Sequence, residues 1–321
     1  SQASKAYEYY AQKFPKNEKA LDALQNAAFY RMGLGQLDKA IKNYKAYMKL
    51  VGKKDRGKAS EVYFSIGKIF EQRKKWRKVI SHYKDFLKKY GRVAKADLII
   101  GAYTRIGNAY WRQAEPFIQR KRKRWRNFDF LNRPAQKAYN SAYQAYLKLS
   151  AKKKKTLKSG VAAAAEARFR MGEDIYIKVK YRTRLKPRFY RNVKKFMKAL
   201  TKEIAARGAI INSARTIYGE VIGFRSPNWS IAALARQGEM LEALSNTIYN
   251  YPAPPKYTED QKEAFKGVLT DRAEVYRTQA IDAYVLCMKT AQELTWFNRW
   301  SDNAEKRLSV LDPAKYRYNA E

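Results

Sequence analysis

Residues 61–91 read EVYFSIGKIFEQRKKWRKVISHYKDFLKKYG, and this stretch decides the fold. Its first half repeats apolar or small residues at spacings of three, one and three, and its second half at spacings of four and three. The positions are Tyr63, Ile66, Gly67, Phe70, Val79, Tyr83, Phe86 and Gly91. Such spacings place the residues on one face of an α-helix. The stretch therefore predicts two amphipathic helices that stack, with small residues where their backbones approach most closely.

The same pattern recurs along the chain, and recurrence at a fixed period indicates a repeat architecture. A preceding copy lies 39 residues earlier, and three later copies follow. Their first helices carry Leu24, Ala27 and Ala28; Tyr103, Ile106, Gly107 and Tyr110; Arg168, Met171, Gly172 and Ile175; and Leu234, Gln237, Gly238 and Leu241. The second helices that we assign carry Ala40, Tyr44 and Tyr47; Ala138, Ala142 and Tyr146; and Ala280, Tyr284 and Cys287. We predict an all-α protein, with about six antiparallel helix pairs and irregular insertions.

In spacing, residues 61–91 resemble the tetratricopeptide (TPR) pattern at all eight signature positions. In identity they depart from it at Val79, Phe86 and Gly91, where the pattern has Ala, Ala and Pro. The resemblance implies a TPR-like α-solenoid. Open surfaces of such repeat proteins commonly bind an extended or helical segment of a partner protein.

A second resemblance covers roughly residues 160–321. It rests on GFRSPNWSIAAL at 223–234, APPKYTE at 253–259, FNRWS at 297–301 and LDPAKY at 311–316. These stretches are similar to the C-terminal module of TPR proteins from the cell envelope of deltaproteobacteria, a group that includes the TPR lipoproteins of the myxobacterial gliding-motility machinery. The resemblance implies a scaffold or adaptor without enzymatic activity, in the periplasm or at the outer membrane. No signal peptide is visible, and we expect a mature or trimmed form.

Tyrosines follow the helical pattern in the N-terminal part of the chain. They are Tyr7, Tyr9, Tyr10, Tyr30, Tyr44, Tyr47, Tyr63 and Tyr83. We predict that most of them belong to the core, with the ring filling a gap between helices and the hydroxyl close to water.

Positive charge is concentrated in the first three quarters of the chain. Residues 1–238 hold 57 Lys and Arg against 16 Asp and Glu, whereas residues 239–321 hold 11 against 13. The local net charges are therefore +41 and −2. So large an excess destabilises a compact state through self-repulsion, and it indicates a polyanionic partner or surface.

Several classes of site are disfavoured by composition. The chain has one cysteine, Cys287, and one histidine, His82, so it has no internal disulfide and few options for metal or acid–base sites. We find no phosphate-binding glycine loop and no nucleophile motif. We predict that the protein is not an enzyme and uses no cofactor or metal. No apolar run reaches the 18 residues of a membrane-spanning helix.

Two basic segments are candidates for contact with a polyanion. Residues 120–126 hold six cations around Trp125, within an interruption of the helical pattern bounded by Pro116 and Pro134, and residues 178–195 hold nine cations and no acid. Cations would bind phosphate, sulfate or carboxylate groups, and the Trp ring would be available for stacking. The alternatives are a solvated loop for the first segment and a basic connector for the second. The predicted polyanion-binding residues are Arg120, Lys121, Arg122, Lys123, Arg124, Trp125, Arg126, Lys178, Lys180, Arg182, Arg184, Lys186, Arg188 and Arg191.

We divide the chain into N-terminal TPR-like repeats (1–115), a basic insertion (116–134), basic degenerate helical repeats (135–238) and a near-neutral C-terminal helical module (239–321). The leading hypothesis is a scaffold or adaptor that contacts partner proteins. Its basic surface would hold it to an acidic protein, an anionic glycan or lipid surface, or nucleic acid, and the C-terminal module would serve protein contact or self-association.

The rival hypothesis is a nucleic-acid-binding helical-repeat protein, supported by a pI near 10.1. Against the rival, no regular pair of polar residues recurs per repeat. The partner's identity and the oligomeric state stay open.

Overall fold

The computed structural model of the chain describes residues 2–51, 55–118, 122–182, 185–188 and 192–317. Within these ranges the regular structure is entirely helical and contains no strand, which confirms the predicted all-α class. The chain divides into two compact units, Ser1–Ala167 and Arg168–Glu321.

The first unit is built from helices, and consecutive helices from the first to the seventh pack against each other. The helices of this unit are α1 (Gln2–Lys13), α2 (Ala20–Gly33), α3 (Leu37–Val51), α4 (Arg56–Gln72), α5 (Trp76–Tyr90), α6 (Ala96–Ala114), α7 (Arg122–Leu147), α8 (Ala151–Lys155) and the start of α9 (Gly160–Ile177). Side chains fix some of the helix starts. The Asp55 carboxylate accepts a hydrogen bond from the Lys58 N–H at 2.9 Å and so satisfies one of the free donors at the start of α4.

Residues 122–134, which we expected to interrupt the helical pattern, belong to α7, and that expectation is wrong. Aromatic packing explains the helix, because the fully buried Phe128 meets Trp111 and Trp125 edge-on at 6.1 and 5.6 Å between ring centroids. The helix continues through Pro134.

The register that we assigned to the second helix of this pair is also wrong. The residue that packs on Gly107 is Tyr139, so the pattern on α7 is shifted from the assigned Ala138 and Tyr146. Tyr139 is fully buried, whereas Tyr146 is only half-buried.

The second unit continues with the rest of α9 and a π-helical turn, Lys178–Arg182. Three long helices and a shorter one follow: α10 (Val193–Gly223), α11 (Pro227–Tyr249), α12 (Glu259–Glu293) and α13 (Arg299–Leu311). The proline-containing segment 251–258 between α11 and α12 is not helical. Thr258 and Gln261 form a reciprocal capping box that starts α12.

One contact between helices recurs in both units. A glycine on one helix faces a fully buried tyrosine ring on the next, in the pairs Gly67–Tyr83, Gly107–Tyr139, Gly172–Tyr218 and Gly238–Tyr284. A Cβ atom at these glycines would lie 2.3, 2.4, 2.7 and 2.5 Å from the nearest ring atom, respectively. Any larger residue would therefore push the helices apart.

The hydroxyls of these tyrosines do not face water, and for Tyr83, the one member of our predicted tyrosine set among them, this contradicts the expectation. Tyr83 donates to Glu71 at 2.8 Å, and Glu71 also accepts from Arg105. Tyr284 donates to Glu242 at 2.9 Å, and Glu242 accepts from Arg307. Burial and the neighbouring carboxylates raise the tyrosine pKa values far above 10, so the hydroxyls stay protonated as donors. We call this arrangement the Tyr–Glu–Arg node.

Two further tyrosines make related contacts. Tyr218 donates to Glu173 at 3.3 Å, and Glu173 also accepts two hydrogen bonds from Arg236, at 2.6 and 3.1 Å. In the first unit, Tyr139 donates to the amide oxygen of Asn108 at 2.9 Å. Each of these four tyrosine hydroxyls thus has a hydrogen-bond partner, which offsets the cost of burying it.

Candidate polyanion-binding surface

The first predicted segment begins at the N-terminus of α7. Arg120 and Lys121 lie outside the described residues, and Arg122, Lys123 and Arg124 are described only as helical backbone. Arg126 is exposed. Trp125 is half-buried and packs edge-on against Phe128, so its ring contributes to the packing of α7.

The second predicted segment follows α9 in the second unit. Lys178, Lys180, Lys186 and Arg188 are exposed, the Arg182 backbone ends the π-helical turn, and Arg184 and Arg191 lie outside the described residues. Some of these cations have local partners. Lys178 forms an ion pair with Asp174 at 2.6 Å, and Lys180 donates to the Tyr176 hydroxyl at 2.8 Å.

A basic surface that we did not predict from the sequence lies on α3 and α5. Helix α3 carries Lys39, Lys42, Lys45 and Lys49 at spacings of three, three and four, and α5 carries Lys78, Lys84 and Lys88 at spacings of six and four. All seven side chains are exposed. We call these two rows the lysine stripes. With a rise of 1.5 Å per residue, each stripe is about 15 Å long.

The two stripes occupy equivalent positions on their helices. A shift of 39 residues relates Lys39, Lys45 and Lys49 to Lys78, Lys84 and Lys88, and the same shift relates the buried Tyr44 and Tyr83. The buried residues use one side of each helix, so the lysines are left on the other side.

None of the stripe lysines forms an ion pair with an acid among the residues that the structure describes. The two acids on these helices form ion pairs with residues outside the stripes. Asp38 pairs with Arg73 at 2.8 Å, and Asp85 pairs with Lys89 at 2.8 Å. Lys84 has one neutral partner, the Tyr110 hydroxyl, at 3.3 Å. The charge of the stripes is therefore available to an external anion.

Each unit also has exposed lysines that lie outside the stripes. Helix α8 presents Lys152, Lys153 and Lys155, and the exposed side of α10 presents Lys194, Lys195, Lys198 and Lys202. Ser150 caps the start of α8, because its hydroxyl accepts from the Lys153 N–H at 3.4 Å.

Two arginines in the second unit, the partly buried Arg236 and the buried Arg207, have opposite environments. Arg236 lies between Glu173 and Glu239 and over the Tyr176 ring, and these carboxylates raise its pKa despite burial. Arg207 makes a single hydrogen bond, to the Val179 carbonyl at 2.7 Å. Its Nε and Nη1 are buried with no hydrogen-bond partner in the described part of the chain, and burial lowers its pKa.

His82 and Cys287 are packing residues. The His82 ring stacks on Tyr63 at 4.3 Å, and its Nε2 lies 2.7 Å from the Tyr63 carbonyl oxygen. Cys287 is fully buried, and its Sγ donates to the Ile231 carbonyl at 3.5 Å. Burial raises the pKa of the Cys287 thiol to about 12, which disfavours the reactive thiolate.

The described residues offer neither a metal site nor a membrane span. No group of three or more His, Cys, Asp or Glu side chains among them is placed to hold a metal ion. No helix in the same ranges is long and apolar enough to cross a membrane.

No protein-family model matches the chain, and no curated protein sequence matches it.

Proposed function

We propose that the protein is a non-enzymatic scaffold or adaptor, built as a TPR-like α-solenoid of antiparallel helix pairs, whose basic surface holds it to a polyanionic partner. The observation that carries the proposal is the set of exposed lysines without acidic partners on α3 and α5, in the part of the chain whose net charge is +41. Retaining so much uncompensated charge costs stability, and binding an anion offsets that cost.

The scaffold part of the proposal is supported by the recurring glycine–tyrosine contact and by the packing of successive helices in chain order. Repeat proteins with this construction present long surfaces to extended or helical partner segments. The proposed location is the cell envelope, in the periplasm or at the outer membrane. It rests on the resemblance of residues 160–321 to envelope TPR proteins. The near-neutral residues 239–321 would mediate protein contact or self-association.

The second candidate is a nucleic-acid-binding helical-repeat protein, and the overall charge favours it. Readers of single-stranded nucleic acid add aromatic side chains on which bases stack. Within the described residues, the exposed large aromatic side chains lie outside α3 and α5. The lysine stripes therefore suit contacts to charged groups better than contacts to bases.

A binding experiment tests the proposal. The full chain is titrated with duplex DNA, single-stranded RNA and a sulfated glycan over a series of salt concentrations. We expect binding to more than one polyanion, with affinity that falls steeply as salt rises, because counterions are released on binding. A preference of roughly a thousandfold or more for one nucleic-acid sequence would favour the second candidate, because bulk charge cannot supply it. Absence of binding to every polyanion at low salt would refute the basic-surface proposal.

A further inference from the structure

We infer that the lysine stripes of α3 and α5 form a docking surface for an anionic lipid bilayer. The inference rests on the proposed polyanion binding, and it names both the surface and the partner. The partner is recognised by its charge, as a bilayer that contains anionic phospholipid headgroups.

The number and placement of the lysines fit such a surface. Clusters of four to eight basic residues on one side of a helix are typical of proteins that bind anionic lipids. The stripes present seven, on equivalent sides of two helices, over about 15 Å on each helix. Repetition of the same positions on α3 and α5 gives two equivalent rows of charge. In the proposed complex, both rows contact one planar array of headgroups.

The chemistry of the stripes favours headgroups over nucleic-acid bases. The seven stripe residues are lysines, which carry compact charges on flexible stems, and one exposed arginine, Arg77, lies beside them on α5. Arginine binds guanine in a bidentate geometry that lysine lacks, so one arginine beside seven lysines favours headgroups over bases. A fluid lipid surface requires no fixed geometry, because its headgroups diffuse to the lysines.

The interaction with the bilayer is shallow and electrostatic. Leu50 is the one exposed large apolar side chain of α3 and α5 among the described residues. Stable insertion into the acyl region requires a wider apolar face. Binding should therefore depend on the fraction of anionic lipid and should weaken as salt screens the charges.

Acids on the same helices do not cancel the stripes. Asp38 lies next to Lys39 in sequence but pairs with Arg73, which follows α4, and Asp85 pairs with Lys89 and accepts from Tyr63. The seven stripe lysines have no acid within ion-pair distance in the described residues.

The test compares three full-length proteins in co-sedimentation with vesicles of phosphatidylcholine containing about 30% phosphatidylglycerol, and with vesicles of pure phosphatidylcholine. The first protein is the parent. The stripe variant replaces the lysines at 39, 42, 45, 49, 78, 84 and 88 with Gln. The control variant replaces seven other exposed lysines, at 148, 152, 153, 155, 158, 198 and 202, with Gln. Both variants lose the same charge.

We expect the parent to bind the anionic vesicles and not the neutral ones. The stripe variant should bind at least about tenfold more weakly than the parent, and the control variant should change by less than about threefold. Circular dichroism melts check that each variant folds, and variants of the α3 stripe alone and the α5 stripe alone replace the full variant if it does not fold. Each half variant should then show part of the loss.

The outcomes separate this inference from the proposed function. If the stripe and control variants lose vesicle binding equally, net charge alone explains the binding. The assignment of the docking surface to α3 and α5 would then be wrong, whereas the proposal of polyanion binding would stand. A stripe variant that loses duplex DNA binding but keeps vesicle binding would make nucleic acid the partner and overturn the lipid assignment. A parent that binds neither vesicles, DNA nor sulfated glycan would refute the proposed function itself.

Discussion

Helices α5 and α12 make the same contact on their buried side. Tyr83 of α5 fills the space that Gly67 leaves and donates to Glu71, which binds Arg105. Tyr284 of α12 does the same in its own unit, with Gly238, Glu242 and Arg307 as the corresponding residues. The inner contact is thus preserved in a basic region and in a near-neutral one.

The exposed sides of these two helices differ. Aligned on the tyrosines, Lys78 and Lys84 of α5 correspond to Gln279 and Val285 of α12. Lys88 corresponds to Lys289, which forms an ion pair with Glu293 at 3.9 Å. Packing therefore constrains the inner residues in both regions, whereas the outer residues are free to differ. The inner contact that the two helices share therefore does not require the charge of α5.

The largest effect is expected from filling the glycine positions. Gly67→Leu and Gly238→Leu should each reduce the free energy of unfolding by about 3 kcal/mol, because overpacking a tight core contact costs about 1–3 kcal/mol and here a tyrosine ring must move. Gly219→Leu on α10 is the control, since no atom lies within 4 Å of a Cβ there. It should be neutral or slightly stabilising. Chemical denaturation measures all three, and equal stability of Gly67→Leu and its parent would show that the inner contact is unimportant.

The node glutamates should distinguish the two regions. The side chain of Glu242 is 9% exposed and that of Glu71 is 26% exposed. Glu242→Gln should therefore destabilise by about 3 kcal/mol and Glu71→Gln by about 1 kcal/mol, because the hydrogen bonds and ion pair of a carboxylate stabilise more where water is excluded from it. Denaturant unfolding of the two variants gives the comparison. Equal losses would mean that the two nodes are equally buried in solution.

Adding charge to α12 should test whether the outer side is independent of packing. Gln279→Lys, Asp282→Lys and Val285→Lys together should change the free energy of unfolding by less than about 1 kcal/mol, because exposed or half-exposed substitutions usually cost little. The triple variant should bind anionic vesicles more tightly than the parent at low salt. A large loss of stability would contradict the separation of inner and outer residues.

The predicted segment 120–126 provides a smaller test of the distribution of charge. Replacing its six cations with Gln should weaken binding to duplex DNA and reduce the slope of log affinity against log salt by about 0.9 for each phosphate that the variant no longer neutralises. Trp125 is kept, because it packs on Phe128. Salt titrations of parent and variant measure the slopes. A loss of stability with unchanged binding would identify these cations as structural.

The smallest effect on stability is expected from His82 of α5. In the alignment on the tyrosines, Ala283 of α12 corresponds to it. Burial lowers the pKa of His82, so the folded state resists protonation. Its contribution to stability is complete above the ordinary pKa of about 6.5 and is lost as the pH falls below it. His82→Ala should reduce the fall in stability between pH 7 and pH 5 by less than about 1 kcal/mol. An unchanged pH profile in thermal melts would contradict this assignment.

Some of the contacts were predictable from residue spacing. The register of Gly67 with Tyr83, and that of Gly238 with Tyr284 and Cys287, followed from the recurring pattern, because small and apolar residues at helical spacing specify a buried face. The pattern misled at α7, where Pro134 and a dense basic run suggested an interruption. There the buried Phe128 stabilises the helix, and a single apolar residue within a basic run is a weak signal in sequence.

The lysine stripes were missed for a different reason. Dense runs of cations are conspicuous in a sequence, whereas these lysines are three to six residues apart and become a row only on a helix. The repeat period would have revealed them, since three of the four α3 positions recur 39 residues later on α5. Whether acids neutralise them depends on contacts between distant residues, such as Asp38 with Arg73, which spacing does not specify.

By itself, the sequence determined the helical class, the Gly67–Tyr83 and Gly238–Tyr284 contacts and the confinement of the excess positive charge to residues 1–238, because these follow from local periodicity and composition. Only the tertiary structure decided which carboxylate receives each buried hydroxyl, as with Tyr218 and Glu173, and which cations stay unpaired. Those outcomes depend on residues far apart in the chain that meet when helices pack. Their partners are set by distance and burial rather than by sequence separation.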